Sequence, residues 1–161
     1  MIVADTSALV SLGTIDLVTV VFEEFDVHTT DAVLSELEET ATYDDVHGAG
    51  ARRILDGSDQ LTIHSVSGEL TSSRVDEGEG RCALLTRDIE SEFLITDDLR
   101  ALPELQSIAD AKVAISPIVL KALLKRNVLE AETATSKLET LAQRRDWLGT
   151  PIYRRAQALF D

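Results

Sequence analysis

The chain has 161 residues, long enough to bury a core and of a size for one domain. A composition of 44% hydrophobic and 27% charged residues excludes a disordered chain, and no run reaches the roughly 18 to 20 apolar residues that a membrane span needs. The net charge of −14 argues against a general nucleic-acid binder, because phosphate contacts come from Lys and Arg.

That charge is uneven. Residues 1–99 hold 22 acidic and 5 basic side chains, whereas residues 100–161 hold 7 and 10, so any basic rim must come from late in the chain. Excess surface carboxylate suits a salt-adapted protein, such as one from a halophilic archaeon, where salt screens the self-repulsion. A mildly acidic mesophilic protein accommodates it as well. Cys82 is the only cysteine, which excludes an internal disulfide and a thiolate-rich metal site. The amino terminus enters a strand directly, without the basic and then apolar segments of a secretory signal, so a cytoplasmic protein is expected.

Along the chain, apolar runs of strand length alternate with stretches of helical period, the pattern of a parallel sheet with helices on both faces. Ile2–Asp5 reads as a strand, followed by helix over Ser7–Phe22 that Gly13 breaks in two. Val27–Thr30 is the second strand, and Thr30 or Asp31 caps a helix over Asp31–Glu39. A helix over Val46–Asp56, a strand over Leu61–His64 and a helix over Glu79–Ile89 follow. Phe93–Thr96 is the fourth strand, Leu99–Ile108 a helix and Val113–Ile115 the fifth strand. Ser116-Pro117 reads as a cap and first helical residue. From about Leu129 the periodicity gives further helix, broken at Gly149-Thr150-Pro151 before a last short helix ending near Phe160. There is no repeat, low-complexity block or linker, so residues 1–161 are expected to form one domain with the helices after about 129 packed on it.

Two strands end in acids, at Asp5 and at Asp97-Asp98, and ligands of open α/β sheets bind beyond the carboxyl ends of the strands. In a doubly wound sheet the first and fourth strands are neighbours, which would bring Asp5 and Asp98 about 5 Å apart. Two ionised carboxylates that close repel by about 3–4 kcal/mol at an effective dielectric near 20. Either one keeps a proton or a cation lies between them. Oxygen donors without His or Cys favour Mg²⁺ or Mn²⁺ over zinc. Each acid also has a plainer use: Asp5, Asp97 or Asp98 as helix caps, Glu36 on a solvated helix face, and Glu79 at a helix amino terminus.

The ordered set of motifs resembles the PIN-domain nucleases. Val3-Ala4-Asp5-Thr6-Ser7-Ala8-Leu9 is similar to that family's opening strand and turn, and Val33-Leu34-Ser35-Glu36-Leu37 to its helix bearing the second acid. Asp76-Glu77-Gly78-Glu79 resembles its Gly-Glu element, and Leu94-Ile95-Thr96-Asp97-Asp98 its closing strand end. The likeness runs over roughly residues 1–125. It implies a three-layer α/β/α fold with a five-stranded parallel sheet in the order 3-2-1-4-5. It implies a metal-dependent endoribonuclease for single-stranded RNA, often the toxin of a toxin–antitoxin pair, with an antitoxin partner and a homodimer as further expectations. The catalytic acids would be Asp5, Glu36, Glu79 and Asp98, with Asp5, Asp98, Asp97 and Glu79 holding Mg²⁺ or Mn²⁺. Thr6, Ser7, Arg81 and Arg100 are the substrate-side candidates, although Thr6 and Ser7 serve equally as cap residues. Arg81 stands where many relatives carry another acid, and pairing with a nearby acid is its alternative use. Asp76 and Glu77 crowd the Glu79 turn, so the third acid is one of these three. A catalytically inactive binding module of the same fold is the alternative to an enzyme.

Other constellations are weaker. Arg52, Arg53, Arg100, Lys121, Lys125, Arg126, Arg144, Arg145, Arg154 and Arg155 are the cations available to a polyanion, and solvated helix faces compete for them. Aromatic residues make up only 4% of the chain, which excludes extensive base stacking. His28, His47 and His64 lack metal-ligand spacing and read as ordinary core or surface residues. A phosphate-receiving signalling domain is disfavoured, because Ser65-Val66-Ser67 follows the third strand without a phosphoacceptor aspartate and Ser116-Pro117 stands where lysine is needed. An aspartyl phosphatase would need an acid at Ser7.

Overall fold

The apolar segments at the start and middle of the chain form the centre of the sheet. The computed structural model describes residues 1–68, 70 and 72–161. Its strands are β1 (Ile2–Ala4), β2 (Val27–Thr30), β3 (Thr62–His64), β4 (Phe93–Ile95) and β5 (Lys112–Ala114). They pair in parallel in the order β3-β2-β1-β4-β5, with Ala4 opposite Ile95 where β1 meets β4. This is the expected three-layer order, in which strand direction of travel reverses between β1 and β4. Val3, Ala4, Leu94 and Ile95 are buried, as strands covered on both faces must be, whereas Ile63 on edge strand β3 is exposed.

The helices are α1 (Thr6–Gly13), α2 (Val18–Glu24), α3 (Asp31–Thr40), α4 (Val46–Asp56), α5 (Glu77–Ile89), α6 (Leu102–Ile108), α7 (Pro117–Lys125), α8 (Ala131–Arg144) and α9 (Pro151–Ala158). Gly13 ends α1, as its breaker role suggests. Two starts differ from expectation. Helix α5 begins two residues early because the Asp76 carboxylate accepts the Glu79 amide and caps it. Helix α6 begins three residues late because Asp98 Oδ1 accepts the amides of Arg100 and Ala101, holding residues 98–101 in a turn.

Leu138, Leu141, Ala142, Trp147, Ile152 and Ala156 from the last two helices join the same buried cluster as the strands. Helix α8 packs against α7. Its end is fixed in three ways. Trp147 N–H returns to Ala142 O at 2.8 Å, Asp146 adopts φ 56°, and the Trp147 ring is buried. This is the Schellman arrangement, with its hydrophobic contact. The Arg144 guanidinium also donates to the Thr14 carbonyl at the end of α1.

Helices α1 and α4 approach backbone to backbone, and a Cβ at Gly13 would strike the Gly50 carbonyl. Gly13→Ala is therefore expected to destabilise the protein by roughly 1–3 kcal/mol through overpacking. The gain of about 1 kcal/mol that Ala brings within a helix offsets only part of this. The urea unfolding midpoint measures the difference.

Candidate active site

Asp5 follows the last residue of β1 and caps α1. Its Oδ1 accepts the Ala8 amide at 3.0 Å and the Ser7 hydroxyl at 2.8 Å. Ser7 Oγ in turn accepts the Asp97 amide at 2.9 Å and lies 3.4 Å from Thr96 Oγ1, so two hydroxyls tie together the ends of β1 and β4. Across the turn, Thr6 donates to Glu36 Oε2 at 3.0 Å and orients the acid of α3. The other oxygen of Glu36 lies against Gly78, where any Cβ would collide with it. That close approach explains the glycine at the start of α5. Asp76 and Glu79 form a reciprocal capping box, with Glu79 Oε1 accepting the Asp76 amide at 3.0 Å.

These groups line one cavity of about 330 Å³, whose walls are Asp5, Thr6, Ser7, Val10, Glu36, Thr40, His47, Asp76, Glu79, Asp98 and Arg145. Space for roughly ten waters, at about 30 Å³ each, is enough for a hydrated ion beside a phosphate. The four acids expected to be catalytic, Asp5, Glu36, Glu79 and Asp98, all face it. Asp76 joins them. Glu77 turns away and pairs with Arg81 at 2.7 Å, which leaves Glu79 and Asp76 as the acids of this turn at the cavity.

Burial dominates the electrostatics. Asp5 is only 3% exposed, and burial raises its carboxyl to about pKa 7 against the opposing hydrogen bonds from Thr96, the Ala8 amide and Ser7. Glu79 is also raised, first by burial and then by the adjacent Asp98 carboxyl. Burial raises Glu36 too, with the Thr6 hydroxyl opposing it and Asp76 adding repulsion. A buried carboxylate without full counter-charge takes up a proton or a cation.

Several expected residues stand elsewhere. Asp97 does not line the cavity, and its Oδ1 accepts the Ser116 amide at 2.6 Å, which fastens β4 to the start of α7. Arg81 does not line it either, being committed to Glu77 and to Asp31 at 3.8 Å. Arg100 borders a neighbouring hollow of about 210 Å³, which also carries Arg74 and shares Asp76, Glu79 and Asp98 with the acid cavity. Thr6 and Ser7 face the cavity, but their hydroxyls are used by Glu36 and Asp5. Two wall residues were not assigned to the site by the sequence, which reads His47 as an ordinary residue and Arg145 only as one of ten available cations. His47 lies one residue inside α4, and Arg145 is the carboxyl cap of α8. No local pattern marks either residue as a site group. His28 and His64, unrelated in sequence, meet across β2 and β3 with Nδ1 and Nε2 2.8 Å apart.

Among the described residues, no three His, Cys, Asp or Glu side chains converge as a ready-made metal cage. The donor chemistry nevertheless fits a hard cation. Mg²⁺ keeps several waters and needs only one or two direct carboxylates, with others acting through water.

A family described as a PIN domain matches residues 1–161 of the sequence, the whole chain. The chain belongs to the PIN-domain family. Among curated proteins, none matches it. PIN domains are generally nucleases and typically use divalent metal ions. No helix among the described residues is long and apolar enough to cross a membrane.

The raised Asp5 gives a pH signature that can be measured in chelator. Between pH about 4 and 7 the folded protein keeps the Asp5 proton while the unfolded chain releases it, so ionising Asp5 costs stability increasingly as pH rises through that window. Asp5→Asn removes the cost. The variant is expected to exceed wild type by on the order of 2–4 kcal/mol at pH 8, with the advantage vanishing near pH 4. Denaturant titrations at several pH values in chelator test this.

Proposed function

We propose that this PIN domain is a metal-dependent endoribonuclease that hydrolyses phosphodiester bonds of single-stranded RNA. What supports the reading is the gathering of Asp5, Glu36, Asp76, Glu79 and Asp98 around one cavity at the carboxyl edge of neighbouring strands. Asp5 and Asp98 would hold Mg²⁺ or Mn²⁺ chiefly, and Glu36 and Glu79 would complete the shell through water. A divalent ion held there supplies positive charge that activates water and offsets charge developing on the phosphate.

The chain's own residues supply the preorganisation. Ser7 and the Ala8 amide fix Asp5, Thr6 fixes Glu36, and the Asp76 amide fixes Glu79. Such second contacts set how well ligands are placed and typically matter 10- to 100-fold. On one side the cavity adjoins the hollow with Arg74 and Arg100. On the other, it shares His47 with a groove of about 430 Å³ that carries Gln143 and Arg144 together with Asp45 and Asp146. A single strand crossing the acids would therefore meet Arg74 and Arg100 on the first side, and on the second only Arg144 among two further acids. The scarcity of aromatic residues argues for little base selection. The toxin half of a toxin–antitoxin pair is the biological setting that the family resemblance suggests.

The test is cleavage of single-stranded RNA with Mn²⁺ or Mg²⁺ and with chelator, repeated in molar salt. Wild type should cut only with metal, and Asp5→Asn should lose at least about 100-fold in rate. Equal cleavage by both proteins would sink the reading, and a folded wild type that binds RNA without cutting it would favour the inactive binding module.

A further inference from the structure

Arg145 is the only Arg or Lys on the acid cavity wall among the described residues. Its position is built. The Schellman turn and buried Trp147 fix its backbone, and the Arg144 contact with Thr14 fastens the same turn to the end of α1. The side chain is mostly buried, which works against its charge, while the Asp97 and Asp5 carboxylates favour it. Neither acid reaches it, since among the described residues no ion pair within 4 Å involves Arg145. Nε of Arg145 is buried without a hydrogen-bond partner, and so is Oδ2 of Asp97. A buried donor left without a partner is unfavourable, and a guanidinium is a fork matched to two oxygens of a phosphate or carboxylate. An arginine serving only to neutralise these acids would close on one of them in that bidentate way. Here it is held close to them, on the wall of their cavity, and unspent.

We propose that Arg145 binds the phosphate of the RNA backbone at the acid cavity, its guanidinium donating to non-bridging oxygens on the side opposite the carboxylates. The inference rests on the nuclease reading and adds to it. A phosphate entering a cavity walled by carboxylates is repelled unless cations flank it, and Arg145 provides a fixed one from the chain itself. It also gives the carboxyl-terminal helices a part in substrate binding. Lysine, a point charge on a flexible stem, would replace the charge without the fork.

Wild type, Arg145→Lys and Arg145→Gln are compared in three measurements: single-stranded RNA cleavage kinetics with Mn²⁺, the salt dependence of kcat/KM, and the Mn²⁺-induced rise in melting temperature. The Gln variant is expected to lose roughly 10- to 100-fold in kcat/KM, with Lys in between. Its plot of log kcat/KM against log salt should be shallower by about 0.7, the release of one counter-ion from a single strand. Its Mn²⁺ shift should equal or exceed that of wild type, because a cation has left the cavity. Unchanged kcat/KM in the Gln variant overturns the proposal. So does loss of cleavage together with loss of the Mn²⁺ shift in both variants, which would make Arg145 a structural support of the acids. If wild type itself does not cut RNA while binding Mn²⁺, the nuclease reading falls instead, which is a separate outcome.

Discussion

Mutual repulsion among crowded carboxylates, with Asp5 and Glu79 buried, is the constraint to which the rest of this structure answers. Asp5, Glu36, Asp76, Glu79 and Asp98 share one cavity, and a close pair of ionised carboxylates repels by about 3–4 kcal/mol at an effective dielectric near 20. The fold offsets part of this with helix and turn amides. Asp5 caps α1, the Asp76–Glu79 box caps α5, and Asp98 caps the turn before α6. A helix terminus contributes typically 0.3–1 kcal/mol per favourable charge, too little to balance several such pairs. The remainder appears as raised pKa values at Asp5, Glu36 and Glu79, where burial is the first cause.

Capping a helix and facing the cavity are therefore not alternatives here. The capping acids give part of the carboxylate to backbone amides and still line the cavity. Asp5 spends Oδ1 on the Ala8 amide and still faces the cavity, while Glu79 closes its capping box and still faces Asp98. Because each acid is held by a backbone amide or a neighbouring hydroxyl, its rotamer is settled before any ligand arrives. Gly78 belongs to the same scheme, since only a residue without a side chain lets Glu36 lie against the first turn of α5.

The carboxyl-terminal helices bind this centre to the rest of the chain. Helix α8 buries Leu138, Leu141 and Ala142 in the shared core and ends in a fixed turn anchored on Thr14. That turn carries Arg145 to acids that lie at the opposite end of the sequence. The charge asymmetry between the two parts of the chain thus has a local counterpart, with acids supplied by the early elements and a guanidinium supplied by a late one.

The alternation of short apolar runs with helical periods was enough to place all five strands to within a residue or two, because strand burial and turn chemistry are written locally. The acids at strand ends were legible for the same reason: Asp5 and Asp98 sit where apolar runs stop, and a parallel sheet puts such residues on its carboxyl edge. Their chain order, with Glu36 and Glu79 between, carried the family. What the sequence left open was decided by packing. Asp97 and Asp98 are neighbours of one type past the end of β4, yet Asp97 takes the Ser116 amide and fastens α7, whereas Asp98 caps the turn over residues 98–101 and faces the cavity. Arg81 chose Glu77 and Asp31, one helical turn away and across to α3. Arg145 stands 140 residues from Asp5 in the chain and His47 stands 42 from it, and no local periodicity encodes such a meeting. Local rules fixed where each acid would stand, and only the tertiary fold decided which cation would be brought to face them.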